Sequence, residues 1–323
     1  MNCPVYYRSG KYDIPKTFAV KHKDERVRMA SRSGGIFTAL SDKVLKEEGV
    51  VYGCIMIDCS KAVHIRAESE SERNKMRGSK YIQSDLGDVF KRVRIDLNKG
   101  RLVLFSGTSC QVSGLKGYLR KQYDNLLLVD IVCHGVPSPI VWQKYLNWQE
   151  KRNNSKIIRV DFRNKEDFGW TDHVESLYLE NGKQVNSRVF KNLFYGHAVL
   201  RPSCYSCPYK DIIHPGDITI ADYWGIEKAA PIFDDNKGTS LVLINNDKGQ
   251  EWFEAIRKSL DTVETRIEDS MQPPLNAPFP QPSNREEFWR DIKDKDFDYV
   301  VNKYGKIAVS ILIKRKAKKL LRI

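Results

Sequence analysis

Apolar and polar residues follow two different rhythms along the chain, and the rhythm changes near residue 156. Before that point, short apolar runs alternate with stretches whose apolar residues recur every three or four positions. In residues 36–48, apolar side chains stand at positions 36, 37, 40 and 44, which is the spacing of an amphipathic helix. Strands are predicted at residues 16–20, 50–57, 62–67, 101–105 and 125–133, and helices at residues 36–48, 85–98, 111–122 and 139–151.

After residue 156 the pattern becomes richer in strands, and residues 180–183 have the composition of a hairpin turn. Strands are predicted at residues 157–162, 174–179, 184–189, 217–223 and 239–244, followed by a helix at residues 248–260. Residues 273–282 form a proline-rich loop, residues 285–293 a short helix, and the C-terminus a basic helix.

These patterns predict an α/β fold with mixed α+β character, in which a mixed-sheet core carries an added β-rich portion. The predicted parts are an irregular N-terminal segment (1–20), an α/β portion (21–155), a β-rich portion (156–270) that contains a Cys-x-x-Cys motif, and a proline-rich loop with a basic C-terminal helix (271–323). Because no repeat or low-complexity linker interrupts the sequence, two closely packed halves are expected.

Composition changes this picture little. The formal net charge is +13, but seven basic residues from Lys306 to the end account for more than half of it. The rest of the chain shows no stripe of basic and aromatic residues, so nucleic acid is not an expected partner. There is no apolar run of membrane-spanning length and no apolar core of a signal peptide in residues 1–12, which predicts a cytoplasmic protein.

The tail at residues 308–323 mixes apolar and basic side chains. As a helix it would suit peripheral contact with an anionic membrane surface, on the inner face of the membrane. A solvated basic terminus explains the same composition equally well.

Four cysteines stand in positions that suit a metal site. Cys204 and Cys207 are separated by two residues, a spacing that turns both thiols toward one metal. Cys110 and Cys133 each follow a predicted strand, at the end where ligands gather in parallel sheets. The four thiolates suit structural zinc and an iron–sulfur cluster equally, and a redox dithiol at Cys204 and Cys207 without any metal is a further interpretation, so the spacing leaves the metal open.

The other cysteines carry weaker signals. Cys54 and Cys59 lie along or just after an apolar run, which indicates small buried hydrophobic side chains. No role is assigned to Cys3.

Three glycine-containing segments are candidate cofactor-binding loops. Ser33-Gly34-Gly35 precedes a predicted helix, whose N–H groups can bind phosphate. Gly78-Ser79-Lys80-Tyr81 offers a cation and an aromatic ring near a turn, and Ser106-Gly107-Thr108 is a predicted strand-to-helix turn. None of them has the Gly-x-Gly-x-x-Gly pattern, and a helix cap with a flexible turn explains the first one as well.

Six segments together resemble the beta-subunit family of coenzyme F-420 hydrogenases and dehydrogenases. They occur in order over residues 21–244 and include Ser33–Phe37, Gly78–Tyr81, Phe105–Val112, Cys133–Ser138, Arg201–Cys207 and Gly216–Gly225. The resemblance implies FAD beside a [4Fe–4S] cluster, within a mixed-sheet core whose flavin-binding portion is residues 21–155.

The resemblance also implies site residues. It assigns Cys110, Cys133, Cys204 and Cys207 to the cluster. It assigns to the flavin Ser33, Gly34, Gly35, Gly78, Ser79, Lys80, Tyr81, Ser106, Gly107 and Thr108. Lys80 is the candidate catalytic residue, although a surface lysine is an equal interpretation. Asp222 and Trp224 fall in a family motif without an assigned role.

The implied function is that of an iron–sulfur flavoprotein oxidoreductase, with electron transfer between the cluster, FAD and an organic substrate. Many relatives carry an N-terminal ferredoxin-like segment, which this sequence is expected to lack, so an external donor such as a ferredoxin or a reduced deazaflavin is expected. This short form is most similar to members associated with polysaccharide biosynthesis, which suggests a small-molecule or lipid-linked sugar substrate. The alternative is a non-catalytic binding module stapled by a four-cysteine zinc site in a biosynthetic complex.

Overall fold

The structure is a computed structural model that describes residues 11–306. Cys3 and the predicted basic helix at residues 308–323 lie outside the described residues. The strands are β1 (Lys16–His22), β2 (Val50–Ile57), β3 (Lys61–Ala67), β4 (Ser84–Asp85), β5 (Val103–Thr108), β6 (Leu126–Ile131), β7 (Ile157–Asp161), β8 (Glu175–Leu179), β9 (Gln184–Ser187), β10 (Ile218–Asp222), β11 (Ser240–Ile244) and β12 (Leu260–Thr265).

Helices join these strands and lie on both faces of the large sheet that nine of the strands form. They are α1 (Glu25–Ala30), α2 (Ile36–Lys46), α3 (Glu70–Asn74), α4 (Val89–Asn98), α5 (Ser109–Leu119), α6 (Pro139–Asn153), α7 (Lys165–Phe168), α8 (Val189–Tyr195), α9 (Ile226–Ala229), α10 (Asp247–Ile256), α11 (Pro273–Asn276), α12 (Arg285–Asp294) and α13 (Phe297–Tyr304).

Within residues 11–306, nine strands form one large mixed sheet in the order β12-β1-β11-β10-β6-β5-β2-β3-β4. The strands β2, β5, β6 and β10 run parallel to one another, whereas β1, β11 and β12 pair antiparallel. The helix α5 connects β5 to its parallel neighbour β6, which is the connection that parallel pairing requires. The predicted α/β fold with a mixed sheet is therefore confirmed.

Residues alternate between the two faces of the large sheet, as strand geometry dictates. Leu104 and Leu127 pack on one face with the apolar sides of α2 and α10. Val103, Phe105 and Leu128 pack on the other face with α4 and α5. Because both faces are buried, β5 and β6 appear in the sequence as nearly continuous apolar runs.

A second antiparallel sheet contains β7, β8 and β9. Its inner face packs around Trp142 of α6 and Phe190 of α8, together with helices α12 and α13. The strands of the β-rich portion are divided between the two sheets. The strands β7, β8 and β9 form the second sheet, whereas β10, β11 and β12 belong to the large sheet together with the strands of residues 21–155. The division of the chain at residue 156 stays a prediction.

The structure corrects several predicted boundaries. The strand β1 begins at Lys16 as predicted but extends to His22, beyond the predicted end at residue 20, because it pairs with both β11 and β12. Val189 begins α8 instead of ending a strand, since Phe190, Leu193 and Phe194 have helical spacing and are buried. The proline-rich loop contains the short helix α11, in which Pro273 occupies the first turn, where a missing N–H costs nothing.

The predicted turn at Ser106-Gly107-Thr108 is also corrected. These residues are the end of β5 and pair with β6, Ser106 opposite Val129 and Thr108 opposite Ile131. The helix α5 then begins directly at Ser109. Among residues 11–306, no helix has both the length and the apolar character needed to cross a membrane.

Candidate functional site

A cavity of about 800 Å³ lies where the parallel strands β5, β6 and β10 end. Its walls come from residues 31–37, residues 76–84, the carboxyl ends of these strands, the end of α8, and residues 272–279. Sites for ligands form at this edge of α/β sheets because adjacent connections diverge there. The cavity is the candidate functional site.

The Ser33-Gly34-Gly35 loop begins α2 at one wall of this cavity. Gly35 has φ +94° as the N-cap residue, a conformation that favours glycine, and both Ser33 and Gly35 line the cavity. Gly34 packs behind them, where an added Cβ would lie 2.0 Å from the carbonyl oxygen of Val20. Its missing side chain therefore permits a close approach between the loop and β1.

All four residues from Gly78 to Tyr81 line the cavity. The Lys80 ammonium donates to the carbonyl oxygens of Met76 (2.7 Å), Arg77 (2.8 Å) and Lys75 (3.3 Å). These three bonds use its three hydrogens, so in this arrangement the ammonium has none left for a hydrogen bond to a ligand. Burial lowers the pKa of Lys80 to about 8.

The Ser106-Gly107-Thr108 segment lines the cavity from the end of β5. His64 of β3 secures it, because its Nε2 lies 3.0 Å from the carbonyl oxygen of Ser106 and its Nδ1 lies 2.6 Å from the Ser84 hydroxyl. Burial lowers the pKa of His64 to about 4, so the ring is neutral at pH 7. The segment is thus held at the cavity by its neighbours across the sheet.

Two of the four proposed metal-ligand cysteines line the same cavity. Cys110 lies in the first turn of α5 and is exposed, and Cys133 follows the end of β6. The strands β5 and β6 are parallel neighbours, as the sequence predicted for these two positions. Cys204 and Cys207 are half-buried within and just after a short 3₁₀ turn, Pro202–Ser206.

Electrostatic coupling relates these thiols to one another. Burial raises the pKa of Cys133 to about 12, Lys210 opposes the rise, and Cys110 and Cys204 add to it. The pKa of the Cys207 thiol is also raised, by burial first and with smaller contributions from Cys110 and Cys204. The Arg201 N–H donates to the carbonyl oxygen of Val136 at 2.9 Å, so the Cys-x-x-Cys segment and the residues after Cys133 lie in one neighbourhood.

Lys210 supplies positive charge to this neighbourhood, and its ammonium donates to the carbonyl oxygen of Cys133. Within residues 11–306, no three or more side chains of histidine, cysteine, aspartate or glutamate are grouped closely enough to hold a single metal ion.

Cys54 and Cys59 pack against the core around Trp142, which agrees with their predicted hydrophobic role. Cys54 also lines the cavity, and burial raises the pKa of its thiol.

The proline-rich loop covers the cysteine end of the cavity. Phe279 packs against the rings of His134 (4.2 Å between centroids) and His197 (4.3 Å), and the Nε2 atoms of these histidines lie 2.9 Å apart. All three side chains line the cavity. The pattern of the sequence marked the loop as irregular but gave no sign of this contact.

A polar cluster occupies another wall of the cavity. The Arg163 guanidinium forms an ion pair with the Asp222 carboxylate, which also accepts a 2.8 Å hydrogen bond from the Trp170 indole. Burial favours a raised pKa for Asp222, but the charges of Arg163 and Arg32 outweigh burial and lower it. Trp224 stacks on Trp170 at 5.0 Å and lines the cavity.

Sequence reasoning identified Asp222 and Trp224 as motif residues but did not identify Arg32 or Arg163. An isolated arginine in a loop has no local pattern that distinguishes it from surface charge. The cluster is visible only in the folded chain, where Arg32 donates a hydrogen bond to the carbonyl oxygen of Arg163, which lies 131 positions away in the sequence.

A sequence profile for the C terminus of the beta subunit of coenzyme F420 hydrogenase/dehydrogenase matches residues 100–269, more than half of the chain. The chain belongs to this family. The matched region contains the end of β5, all four cysteines and the cluster around Asp222. Membership supports an oxidoreductase-related role, which agrees with the resemblance seen in the six sequence segments.

A solved structure with a similar fold belongs to the F420-reducing [NiFe] hydrogenase complex from Methanosarcina barkeri. The two chains are 18% identical, with a TM-score of 0.55 over 90% of this chain and 91% of the other. At this identity the similarity concerns the fold. A comparison with curated proteins gives no match.

Proposed function

We propose that the protein is a cytoplasmic oxidoreductase that uses FAD and one [4Fe–4S] cluster to transfer electrons to or from an organic substrate. The observation that supports this most is the shared cavity, in which three glycine-bearing segments and the thiols of Cys110 and Cys133 form the walls. A flavin and a cluster held by these residues would be close neighbours, as electron transfer between them requires.

The cavity fits a flavin nucleotide in size and charge. Its volume of about 800 Å³ lies in the usual range for sites of large organic ligands. No side chain within residues 11–306 caps the start of α2 at Gly35, which leaves N–H groups of the helix start for a phosphate. Arg77 and Lys80 line the cavity as well and add positive charge for a pyrophosphate.

We favour a cluster over a zinc ion as the ligand of the cysteines. A single zinc ion holds its thiolates at about 2.3 Å, so their sulfurs crowd around one point. No such group exists within residues 11–306. A cubane binds each thiolate through a different iron, and the family to which the chain belongs favours a cluster as the ligand of Cys110, Cys133, Cys204 and Cys207.

When bound, the flavin would supply hydride exchange with the substrate, and the cluster would supply single-electron transfer. Residues of this chain would hold the two cofactors and limit the access of water to them. Lys210 offsets the negative charge of the thiolates, and Phe279 with its two histidines limits access of water at the cysteine end. The exposed position of Cys110 gives an external electron donor an approach to the cluster.

Anaerobic purification followed by analysis of flavin, iron and acid-labile sulfide tests this proposal. We expect one FAD and about four irons and four sulfides per chain, with broad visible absorption. The variants Cys204→Ser and Cys207→Ser should each lose most of the iron and sulfide. The control Cys59→Ser removes a half-buried thiol outside the proposed site and should keep both.

The opposite outcomes are equally definite. One zinc per chain with no flavin would replace the proposal with the non-catalytic zinc-stapled module. Retention of the cluster in both the Cys204 and Cys207 variants would show that the ligand set is wrong.

A further inference from the structure

Two guanidinium groups meet at the wall of the cavity, beside the Ser33–Gly35 loop. Arg32 donates to the carbonyl oxygen of Arg163 at 2.9 Å and to that of Trp170. Arg163 donates to the same carbonyl of Trp170 at 3.1 Å and to the Asp222 carboxylate. One carbonyl oxygen therefore holds two arginines together, and both line the cavity.

The charges of this cluster do not balance. Asp222 is paired with Arg163, whereas Arg32 has no carboxylate within ion-pair distance among residues 11–306. Burial lowers the pKa of Arg32 to about 10, and repulsion from Arg163 acts in the same direction. Lys165 lies close to this cluster. Burial lowers the pKa of Lys165 to about 7, and repulsion from Arg32 contributes to the shift. Positive charge that is partly removed from water and has no carboxylate partner is costly unless an anion compensates it.

Both arginines also have N–H groups without a hydrogen-bond partner among residues 11–306. Arg163 is 5% exposed, and its Nε atom is buried with no hydrogen-bond partner within the described part of the chain. The Nε atom of Arg32 is in the same condition. Each guanidinium carries five N–H donors, and the bonds to backbone carbonyls and to Asp222 use two of them, so the terminal nitrogens of both arginines keep donors for a ligand in the adjoining cavity.

Trp224 completes the wall with an aromatic surface. It is 37% exposed, stacks on Trp170, and lies 5.1 Å from the Arg163 guanidinium. The hydroxyl-bearing side chains of Tyr81 and Tyr195 line the cavity as well. An aromatic surface beside hydroxyl and guanidinium groups matches a polyhydroxylated ring that carries an anionic group.

We propose that Arg32, Arg163 and Trp224 form the substrate subsite, and that the substrate is a sugar bearing a phosphate or carboxylate group. The guanidinium groups bind the anion, and Trp224 contacts the sugar ring. This inference rests on the proposed function, because it assigns the remainder of the cavity to the flavin.

Anaerobic calorimetric titration of the purified holoprotein tests the subsite directly. The probes are glucose 1-phosphate, glucuronate, inorganic phosphate and neutral glucose. We expect one of the two sugar anions to bind at least about tenfold more tightly than glucose, which also distinguishes phosphate from carboxylate. Arg32→Gln should weaken that binding at least about tenfold while the flavin content stays at the wild-type value.

Matched variants separate charge from contact with the ring. Arg26→Gln removes the same charge from an arginine whose side chain is 94% exposed, and it should not change the affinity. Trp224→Ala should weaken the binding of the sugar anion but not that of inorganic phosphate. If Arg32→Gln fails to fold, Arg32→Lys keeps the charge and should bind the anion with an affinity below that of the wild type.

Three results would overturn the subsite. They are equal affinity for glucose and both anions, unchanged anion affinity in the Arg32 variants, and loss of the flavin in Arg32→Gln. The last result would assign Arg32 to the cofactor and leave the proposed function intact. A wild-type protein that binds the anion through Arg32 but contains no flavin would refute the proposed function alone.

Discussion

His64 connects three strands at the edge of the cavity through the two nitrogens of one ring. Its Nε2 lies 3.0 Å from the carbonyl oxygen of Ser106, which can only accept, so this nitrogen carries the hydrogen. The Nδ1 atom then accepts from the Ser84 hydroxyl at 2.6 Å. This pattern requires a neutral ring, and burial accordingly lowers the pKa of His64 to about 4.

The lowered pKa of His64 makes stability depend on pH. The unfolded chain binds a proton near the ordinary histidine pKa of 6.5, whereas the folded chain resists protonation down to about 4. The contribution of His64 is therefore complete above pH 6.5 and is lost as the pH falls toward 4. At pH 5 we expect a loss of about 1–2 kcal/mol in the free energy of unfolding.

Urea unfolding at pH 7.5 and pH 5, carried out anaerobically, measures this effect. His64→Gln keeps hydrogen-bonding groups but does not titrate, so its loss of stability between the two pH values should be smaller than that of the wild type. Equal losses in the two proteins would contradict the assignment.

Lys80 shows how far residue type predicts a role. The sequence indicated a cation near the flavin site, and the side chain does line the cavity. The three carbonyl oxygens that bind its ammonium come from the turn after α3, a local fold that the sequence did not predict. A direct catalytic role for Lys80 stays a prediction.

At the scale of elements, the junction of β1, β11 and α2 depends on one missing side chain. A Cβ on Gly34 would lie 2.0 Å from the carbonyl oxygen of Val20 and 2.7 Å from the backbone nitrogen of Ser240. Both contacts are with backbone atoms of paired strands, so neither can move without disturbing the sheet.

Gly34→Ala should therefore lower the free energy of unfolding by at least about 3 kcal/mol, or prevent folding. The control is Gly114→Ala inside α5, where the nearest atom to a new Cβ is a ring carbon of Phe90 at 3.4 Å. Alanine there should be neutral or stabilise by about 0.5–1 kcal/mol. Urea unfolding compares the two, and similar stabilities of both variants would show that the loop adapts.

The ends of the strands agree with the predicted ends to different degrees. The strand β2 has the predicted ends, Val50 and Ile57, because an apolar run between polar residues marks both limits. The end of β5 was missed, since Ser106, Gly107 and Thr108 have the composition of a turn. Pairing with β6 across the sheet overrides that local preference.

At the scale of the whole molecule, the cavity lies between the large sheet and segments that surround the small sheet. Its walls include the end of β5 on one side and Arg163 with Tyr195 on the other. A ligand that bridges these walls stabilises the folded state by mass action, because the unfolded chain has no such site.

Free FAD should accordingly raise the melting temperature of flavin-depleted protein. At a concentration of about 100 times the dissociation constant, the gain is about 2.7 kcal/mol, which corresponds to a shift of several degrees. Differential scanning fluorimetry read at tryptophan wavelengths measures it, with adenosine as the control ligand. A melting temperature that is the same with FAD, adenosine and buffer would contradict flavin binding in this cavity.

The sequence by itself determined the α/β character, most strands, the four thiols and the glycine-bearing segments. These features depend on residue type and on periodicity within about ten neighbouring positions, which a linear pattern records. It also identified the family, because six short segments occur in a fixed order.

Only the tertiary structure decided which of these features meet. Contacts between segments from different parts of the fold bring Arg32, Arg163, Asp222 and Trp224 to one wall, although no periodicity links them. The half-buried charge of Arg32, the Trp170 carbonyl that it shares with Arg163 and the exposed ring of Trp224 follow from these contacts. Their chemistry belongs to contacts across the fold, and contacts between distant residues leave no local signal in a single sequence.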